Sequence, residues 1–515
     1  MAADIILWFL NIFTLCLLPV FAGLLIISPF FPNNAVKIRR TAKGFCIFNL
    51  IYTMLFALFL NHESSTFAFT KKFPFDILEG TDATLSFGLD SFSILLCLLT
   101  SFIMLMALMA SKTMVGSKYK LYYSLMLILQ GILTGIFTAN NLFTFLIFWL
   151  LELVPVYFLI SIWGGNTAKQ AGMKYVLFNF TGTILMFIST ALIYAYGYDA
   201  NAMLDFESLI KNAVNFPVVL QLVACIGFLA AFIMKMPVFP FHTHIKDALQ
   251  EVPAPVCMVL AGVAIKTGAY GLIRINLQMF YEIFQLIAPA LIFLGALGVV
   301  FASYCAISQN DIRKILSFSV IAHTGIILIG IASYTEFGLN GAIFYMIAHG
   351  LTSAGLFMGQ GVIQLKFKTR KLELLGGISK YVPEITVLML ILCASYIALP
   401  FTMGFSGQIL SLTGGFSSPL IEKTYFMTNF IQASVIFASL SIILCAVYIL
   451  RLLHKTFFSI AEYDFGEIKL SNHQIAILAI IAFAVIIFGI YPAGIIDSIS
   501  FFSNINIDTI LANIF

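Results

Sequence analysis

The chain has 515 residues, of which 61% are hydrophobic and 10% charged, with a formal net charge of +4. Soluble domains are about 45–50% apolar and about 25% charged, so a soluble multidomain enzyme is excluded, as is a disordered or fibrous chain. A mean hydropathy of +1.03 leaves a polytopic membrane protein, and no run of like charge suggests a nucleic-acid surface.

A bilayer core about 30 Å thick needs about 20 apolar residues per helix. Runs of that kind predict roughly fourteen spans, near 5–29, 44–61, 88–110, 120–139, 141–163, 172–196, 216–236, 253–274, 284–306, 314–333, 340–363, 384–411, 428–451 and 473–496. They are too long for strands and lack alternation, so the expected fold class is an all-α membrane protein. Asp4 lies inside the first run with no basic region before it, which predicts a first span and not a cleaved signal. The breaks near 62–87 and 197–215 are short and mildly acidic, so 1–515 reads as a single polytopic domain with its transporter core at about 120–411.

Basic residues alternate across these spans. Lys37, Arg39, Arg40, Lys43, Lys112, Lys118, Lys120, Lys169, Lys174, Lys246, Arg313, Lys314, Lys366, Lys368, Arg370, Lys371, Lys380, Arg451, Lys455 and Lys469 fall on one side. Lys71, Lys72, Lys211, Arg274 and Lys423 fall on the other. The positive-inside rule makes the first side cytoplasmic or its equivalent and puts both termini opposite.

Lys235 and Lys266 lie within spans, where an ionisable group costs about 2.5–3.5 kcal/mol or more. Glu152 sits in FWLLELVPVY, His323 in SVIAHTGI and His349 in YMIAHGLT, while Asp90 opens span three nearer an interface. Burial moves Lys and Glu towards neutrality, where His already titrates, so these types suit stepwise proton movement through water. Against that stand structural readings: satisfied histidines, and a Glu152 that holds helices together as an ion-pair partner. Two spans also carry breakers. KMPVFP holds Pro237, and ALPFTMGFSG holds Pro400. Such breaks are tolerated where they line a buried or watery path, and two of them five spans apart suit inverted five-span repeats.

No dinucleotide, Walker, HExxH or CxxCH motif is present. The cysteines are scattered without a CxxC pair and read as small packing residues. His242 and His244 form an HxH pair that reads better as a polar loop turn than as a metal site. No cofactor is expected in this chain.

With these residues in place, the chain resembles the antiporter-like proton-channel subunits of respiratory complex I and its photosynthetic relatives, most of all the NuoM/NdhD (chain 4) group. The resemblance rests on FWLLELVPVYFLISIWGG (148–165), KMPVFPFHTHIKDALQEVPAPVCMVLAGVAIKTGAYGLIRIN (235–276), DIRKILSFSVIAHTGIILIGIASYTEFGLNGAIFYMIAHG (311–350) and GFSG (404–407). It implies two inverted five-helix repeats with broken helices seven and twelve. It also implies a proton path through Lys235, Lys266, His323 and His349, with Asp90 in a GxDxxS stretch. NAD(P)H or ferredoxin oxidation, quinone reduction and iron–sulfur clusters are expected in partner subunits. The implied location is a bacterial inner, thylakoid or mitochondrial inner membrane.

Three positions depart from the family pattern. Leu150 stands where the family has a glutamate five residues before the proline, Glu152 matching a second glutamate of the photosynthetic members. Gln408 stands where the path normally ends in Glu or Lys, and WLPDAH reads HIKDAL at 244–249. The leading reading is a proton-translocating subunit of a complex-I-like NAD(P)H:quinone oxidoreductase. The alternatives are an Mrp-type cation/proton antiporter or membrane-bound hydrogenase subunit, and a non-pumping paralogue.

Overall fold

The structure, a computed structural model, describes residues 11–60, 67–74, 84–196, 205–420, 425–460, 464–466 and 468–500. Asp4, Lys423 and the start of the first expected span lie outside these. In chain order the helices begin with α1 (Ile12–Ile27), α2 (Ala35–Phe59), α3 (Ser91–Met114), α4 (Tyr119–Thr138), α5 (Leu142–Leu151) and α6 (Leu153–Trp163). They continue with α7 (Ala168–Tyr196), α8 (Phe206–Ala213), α9 (Val218–Lys235), α10 (Thr243–Glu251) and α11 (Ala254–Leu277, with π turns at Leu260–Ala264 and Leu272–Leu277). The last seven are α12 (Tyr281–Ile307), α13 (Ile312–Ala332), α14 (Glu336–Phe367), α15 (Pro383–Tyr396), α16 (Met403–Phe416), α17 (Tyr425–Leu453) and α18 (Asn472–Ile490).

Among the described residues twelve helical stretches are long and apolar enough to cross a membrane, and α1 and α15 are shorter. The protein is an all-α integral membrane protein with one addition: β1 (Ala68–Pro74) and β2 (Thr84–Leu89) pair antiparallel between α2 and α3. The composition argument against strands concerns the long apolar runs. This hairpin forms instead in the polar break, where residues such as Lys71 and Lys72 pair through the backbone with Phe87 and Ser86.

Both expected helix breaks are present. α9 stops at Lys235, and Met236–His242, with Pro237 and Pro240, separate it from α10. α15 stops at Tyr396, and residues 397–402, with Pro400 among them, separate it from α16. Proline denies each helix a donor, and irregular backbone at lipid depth is tolerated where protein or a polar cavity covers it. Met236–Val238 are buried at the first break. At the second, Tyr396, Ala398 and Thr402 are buried, while Leu399, Pro400 and Phe401 are exposed. A third interruption was not expected. Span five divides at Glu152, the junction of α5 and α6, where Pro155 follows three residues on.

The helices are layered around α11, α13 and α14, whose apolar windows are almost wholly buried, whereas α2, α7, α17 and α18 turn most of theirs outwards. Close approach at glycine sets this centre. A Cβ on Gly350 of α14 would lie 2.7 Å from the Gly262 carbonyl oxygen of α11. A Cβ on Gly268 would lie 2.7 Å from both the Phe232 carbonyl oxygen and the Met236 nitrogen at the end of α9. Only glycine lets backbones come this near. The helix carrying Lys266 is thereby clamped between the first break and the helix carrying His349.

Candidate functional site: two buried polar constellations

The first constellation forms where α9 breaks. Lys235 Nζ lies 2.6 Å from Glu152 Oε2, and both side chains are buried. The Tyr175 hydroxyl of α7 accepts from Lys235 at 3.2 Å and donates to Glu152 Oε1 at 3.4 Å, closing a three-membered ring of interactions. The ammonium also lies 5.4 Å from the ring centres of Trp149 and Tyr175, whose electron-rich faces favour a cation. The 200° between residues two apart on a helix left the orientation of Glu152 open in the sequence. In the fold Glu152 is fully buried towards Lys235, while Leu150, at the family's other carboxylate position, is 44% exposed on the outer face.

The second constellation centres on Lys266, which follows the first π turn of α11. A π turn shifts the backbone ladder by one residue, and such turns recur at functional sites. Here Ile265 N donates to Leu260 O, and Lys266 Nζ donates to the Ala261 carbonyl. The same ammonium lies 2.8 Å from His349 Nδ1. Ammonium only donates, so Nδ1 is the acceptor and His349 Nε2–H points to the Tyr396 hydroxyl, 3.2 Å away at the second break. Tyr396 packs edge-on to His323, their ring centres 4.2 Å apart. His323 Nδ1 meets the Tyr345 hydroxyl at 2.5 Å, and its Nε2 faces Cys445 Sγ at 3.9 Å. Gln408 ends the series, its amide donating to the Tyr396 carbonyl at 3.2 Å.

Of the residues singled out from sequence, Glu152 and Lys235 therefore meet in one place, and Lys266, His323, His349 and Gln408 in another. Pro237 and Pro400 stand at the breaks beside them. Asp90 joins neither group. It is the N-cap of α3 in a capping box with Ser93, and its Oδ2 pairs with Arg274 Nη2 at 2.5 Å, two turns of α11 beyond Lys266. The HxH pair is divided: His242 lies in the expected turn, as the N-cap of α10, whereas His244 lies within the helix. His244 lies in α10, a short amphipathic helix formed after the break, and is fully buried. No group of three or more His, Cys, Asp or Glu side chains suited to a metal occurs among the described residues. The eight cysteines are free, and all but Cys305 are buried.

Sequence reasoning missed Tyr175, Tyr345 and Tyr396, which supply the hydroxyls between the charged groups. Tyr345 had a signal, since it precedes His349 by one helical turn. Tyr175 had none, as nothing in α7 marks it from other aromatics.

A bundle broken twice, with a buried lysine in each of the two polar constellations beside the breaks, defines an ion-translocating type of membrane subunit, and comparisons place it more closely. Residues 139–436 match the family described as NADH:quinone oxidoreductase/Mrp antiporter, transmembrane. The chloroplast NAD(P)H-quinone oxidoreductase chain 4 of Physcomitrium patens is 32% identical over 491 residues, covering 94% of this chain and 95% of that one. A chain 4 of a Synechococcus species is 35% identical over 413 residues, covering 79% and 76%. Among solved structures, a chain of respiratory complex I from Thermus thermophilus superposes with a TM-score of 0.85 at 23% identity, over 97% of this chain and 99% of that one. A chain of the Mrp complex from a Dietzia species gives 0.83 at 18% identity, over 97% and 98%. The chain belongs to the NADH:quinone oxidoreductase/Mrp antiporter transmembrane family. Within it, the chain is an antiporter-like subunit of the NuoM/NdhD type.

Proposed function

We propose that this chain is a proton-translocating membrane subunit of a complex-I-like NAD(P)H:quinone oxidoreductase, seated among other membrane subunits. The single observation that carries the reading is the pairing of two buried lysines with different partners. Lys235 meets a carboxylate and Lys266 meets an imidazole. A buried ion pair contributes little net stability, yet removing one partner strands the other at a cost of about 3–5 kcal/mol. The Lys235–Glu152 pair is therefore a two-state element. Closed, it neutralises Lys235. When Glu152 takes up a proton, Lys235 becomes an uncompensated charge that disfavours a second cation nearby. Lys266 then releases its proton to His349, and the Tyr396 and Tyr345 hydroxyls with His323 lead it on towards Gln408.

NAD(P)H or ferredoxin oxidation, iron–sulfur clusters and quinone reduction belong to partner subunits in this reading. The drive reaches the chain as a coupling free energy from its neighbours. The similarity to chain 4 proteins over nearly the whole length favours this assembly over a membrane-bound hydrogenase or an Mrp-type exchanger, the latter sharing the fold. A non-pumping paralogue is favoured by one observation, the untitratable Gln408 at the second break.

The test is native purification of the tagged chain in mild detergent with mass spectrometry of what accompanies it, followed by proton-uptake assays on the recovered complex. Quinone-site and electron-input subunits are the expected companions. Recovery of small antiporter subunits alone, or of no partner, would overturn the assembly proposed.

A further inference from the structure

We propose that His244 is the residue through which the Glu152–Lys235 pair exchanges protons with the basic, cytoplasm-equivalent face; the proposal rests on the functional reading above. His244 is fully buried in α10. Its Nδ1 lies 2.9 Å from the Phe241 carbonyl oxygen. A carbonyl can only accept, so Nδ1 carries the hydrogen and Nε2 holds a lone pair. That Nε2 is buried and has no hydrogen-bond partner among the described residues. Buried polar atoms are nearly always satisfied, so an imidazole acceptor left open asks for a water or a proton.

Its position fits that use. On one side the His244 ring lies 5.7 Å, centre to centre, from Tyr175, the hydroxyl that bridges Lys235 and Glu152. Phe178, one turn further along α7, stacks on the ring at 5.2 Å and fixes its plane. On the other side, Asp247 lies three residues on in α10 and therefore on the same helical face. It pairs with Lys174 at 2.6 Å and with Lys246 at 3.2 Å, and all three side chains are partly exposed. Lys174 and Lys246 belong to the basic set that marks the cytoplasm-equivalent side. The charged or titratable groups around the imidazole are thus Lys235, Tyr175, Lys174, His242 and Asp247. His244 adjoins the buried pair through Tyr175 and lies one helical turn from Asp247 of the surface triad.

The step balances as a proton hop. A hydrated proton from that face breaks its O–H bond as an N–H bond forms at Nε2, giving an imidazolium with both nitrogens protonated. The Nε2–H bond then breaks as the proton passes through the Tyr175 hydroxyl to the Glu152 carboxylate. Nδ1–H stays on the Phe241 carbonyl throughout, so the imidazole returns to its starting tautomer.

The experiment uses the intact complex in sealed membrane vesicles. It compares His244→Phe, His244→Gln and His244→Trp with Lys235→Ala, recording proton uptake per electron and its pH profile. The expected result is a loss of uptake of about ten-fold or more in all three His244 variants, with assembly and redox turnover retained. His244→Trp, which restores the aromatic bulk of the family pattern, separates packing from proton exchange. If Trp or Gln keeps wild-type uptake and pH profile while Lys235→Ala loses uptake, the assignment of His244 is overturned and the functional reading stands. If Lys235→Ala also keeps wild-type uptake, the functional reading itself fails.

Discussion

At the first break α9 ends on Lys235, and its ammonium meets the Glu152 carboxylate at 2.6 Å. At the second, α15 ends on Tyr396, and the residue brought forward by α16 is Gln408, whose amide donates to the Tyr396 carbonyl. The breaks are alike in backbone, with proline in the gap and a buried polar group beside it. They differ in what that group can hold. A lysine–carboxylate pair stores charge in two arrangements, whereas an amide beside tyrosines and histidines can orient a proton but cannot keep one. The comparison teaches that the broken-helix scaffold and the titratable residue at the break are separable, and that this chain keeps both at one end and only the scaffold at the other.

The sharpest way to break the comparison is to remove its lysines. Lys266→Ala takes the only ammonium from the second constellation and leaves His349 Nδ1 without its donor. Proton uptake in vesicles is expected to fall by at least about ten-fold, with the subunit still present on native gels. Glu152→Gln comes next. Lys235 stays buried without a counter-charge, so stability should drop by about 3–5 kcal/mol and uptake should fall with it, as read by thermal unfolding and vesicle assays. Leu150→Glu added to that variant should rescue neither property, because position 150 faces outwards and not towards Lys235. Rescue would show that the helix turns at Glu152 to serve either position.

A smaller effect is expected at Gly350→Ala. The new Cβ would meet the Gly262 carbonyl, part α11 from α14 and lengthen the Lys266–His349 contact. Overpacking of this kind costs about 1–3 kcal/mol, and uptake should fall partially, checked by thermal melts beside transport. The smallest effect is expected from Gln408→Glu. A protonated carboxyl can still donate to the Tyr396 carbonyl, so assembly and uptake at neutral pH should persist. The pH profile of uptake should gain a limb that the wild type lacks.

The scaffold was legible because its signals are compositional and positional. Apolar length gives the spans, proline gives the breaks in spans seven and twelve, and a lysine in mid-span can hardly be anything but buried and paired. Lys235 and Lys266 are read in this way, while His323 and His349 stand out by their motifs and the resemblance these carry. The side on which Glu152 falls was not legible, since it depends on the interruption between α5 and α6 at that residue. The place of Asp90 was not legible either, for a different reason. An aspartate before a run of apolar residues is equally a functional acid and an N-cap, and its Arg274 partner lies 184 residues away. Tyr175 was invisible because an aromatic hydroxyl gains meaning only from the groups that three separate helices bring to it, whereas Tyr345 could have been found from its spacing to His349.

The most direct test of the central claim measures redox-driven proton uptake per electron in sealed vesicles carrying Lys235→Ala or Lys266→Ala in this chain. Uptake per electron is predicted to fall in each variant while quinone reduction by the partner subunits continues. Unchanged uptake per electron in both variants, in fully assembled complexes, would contradict the account.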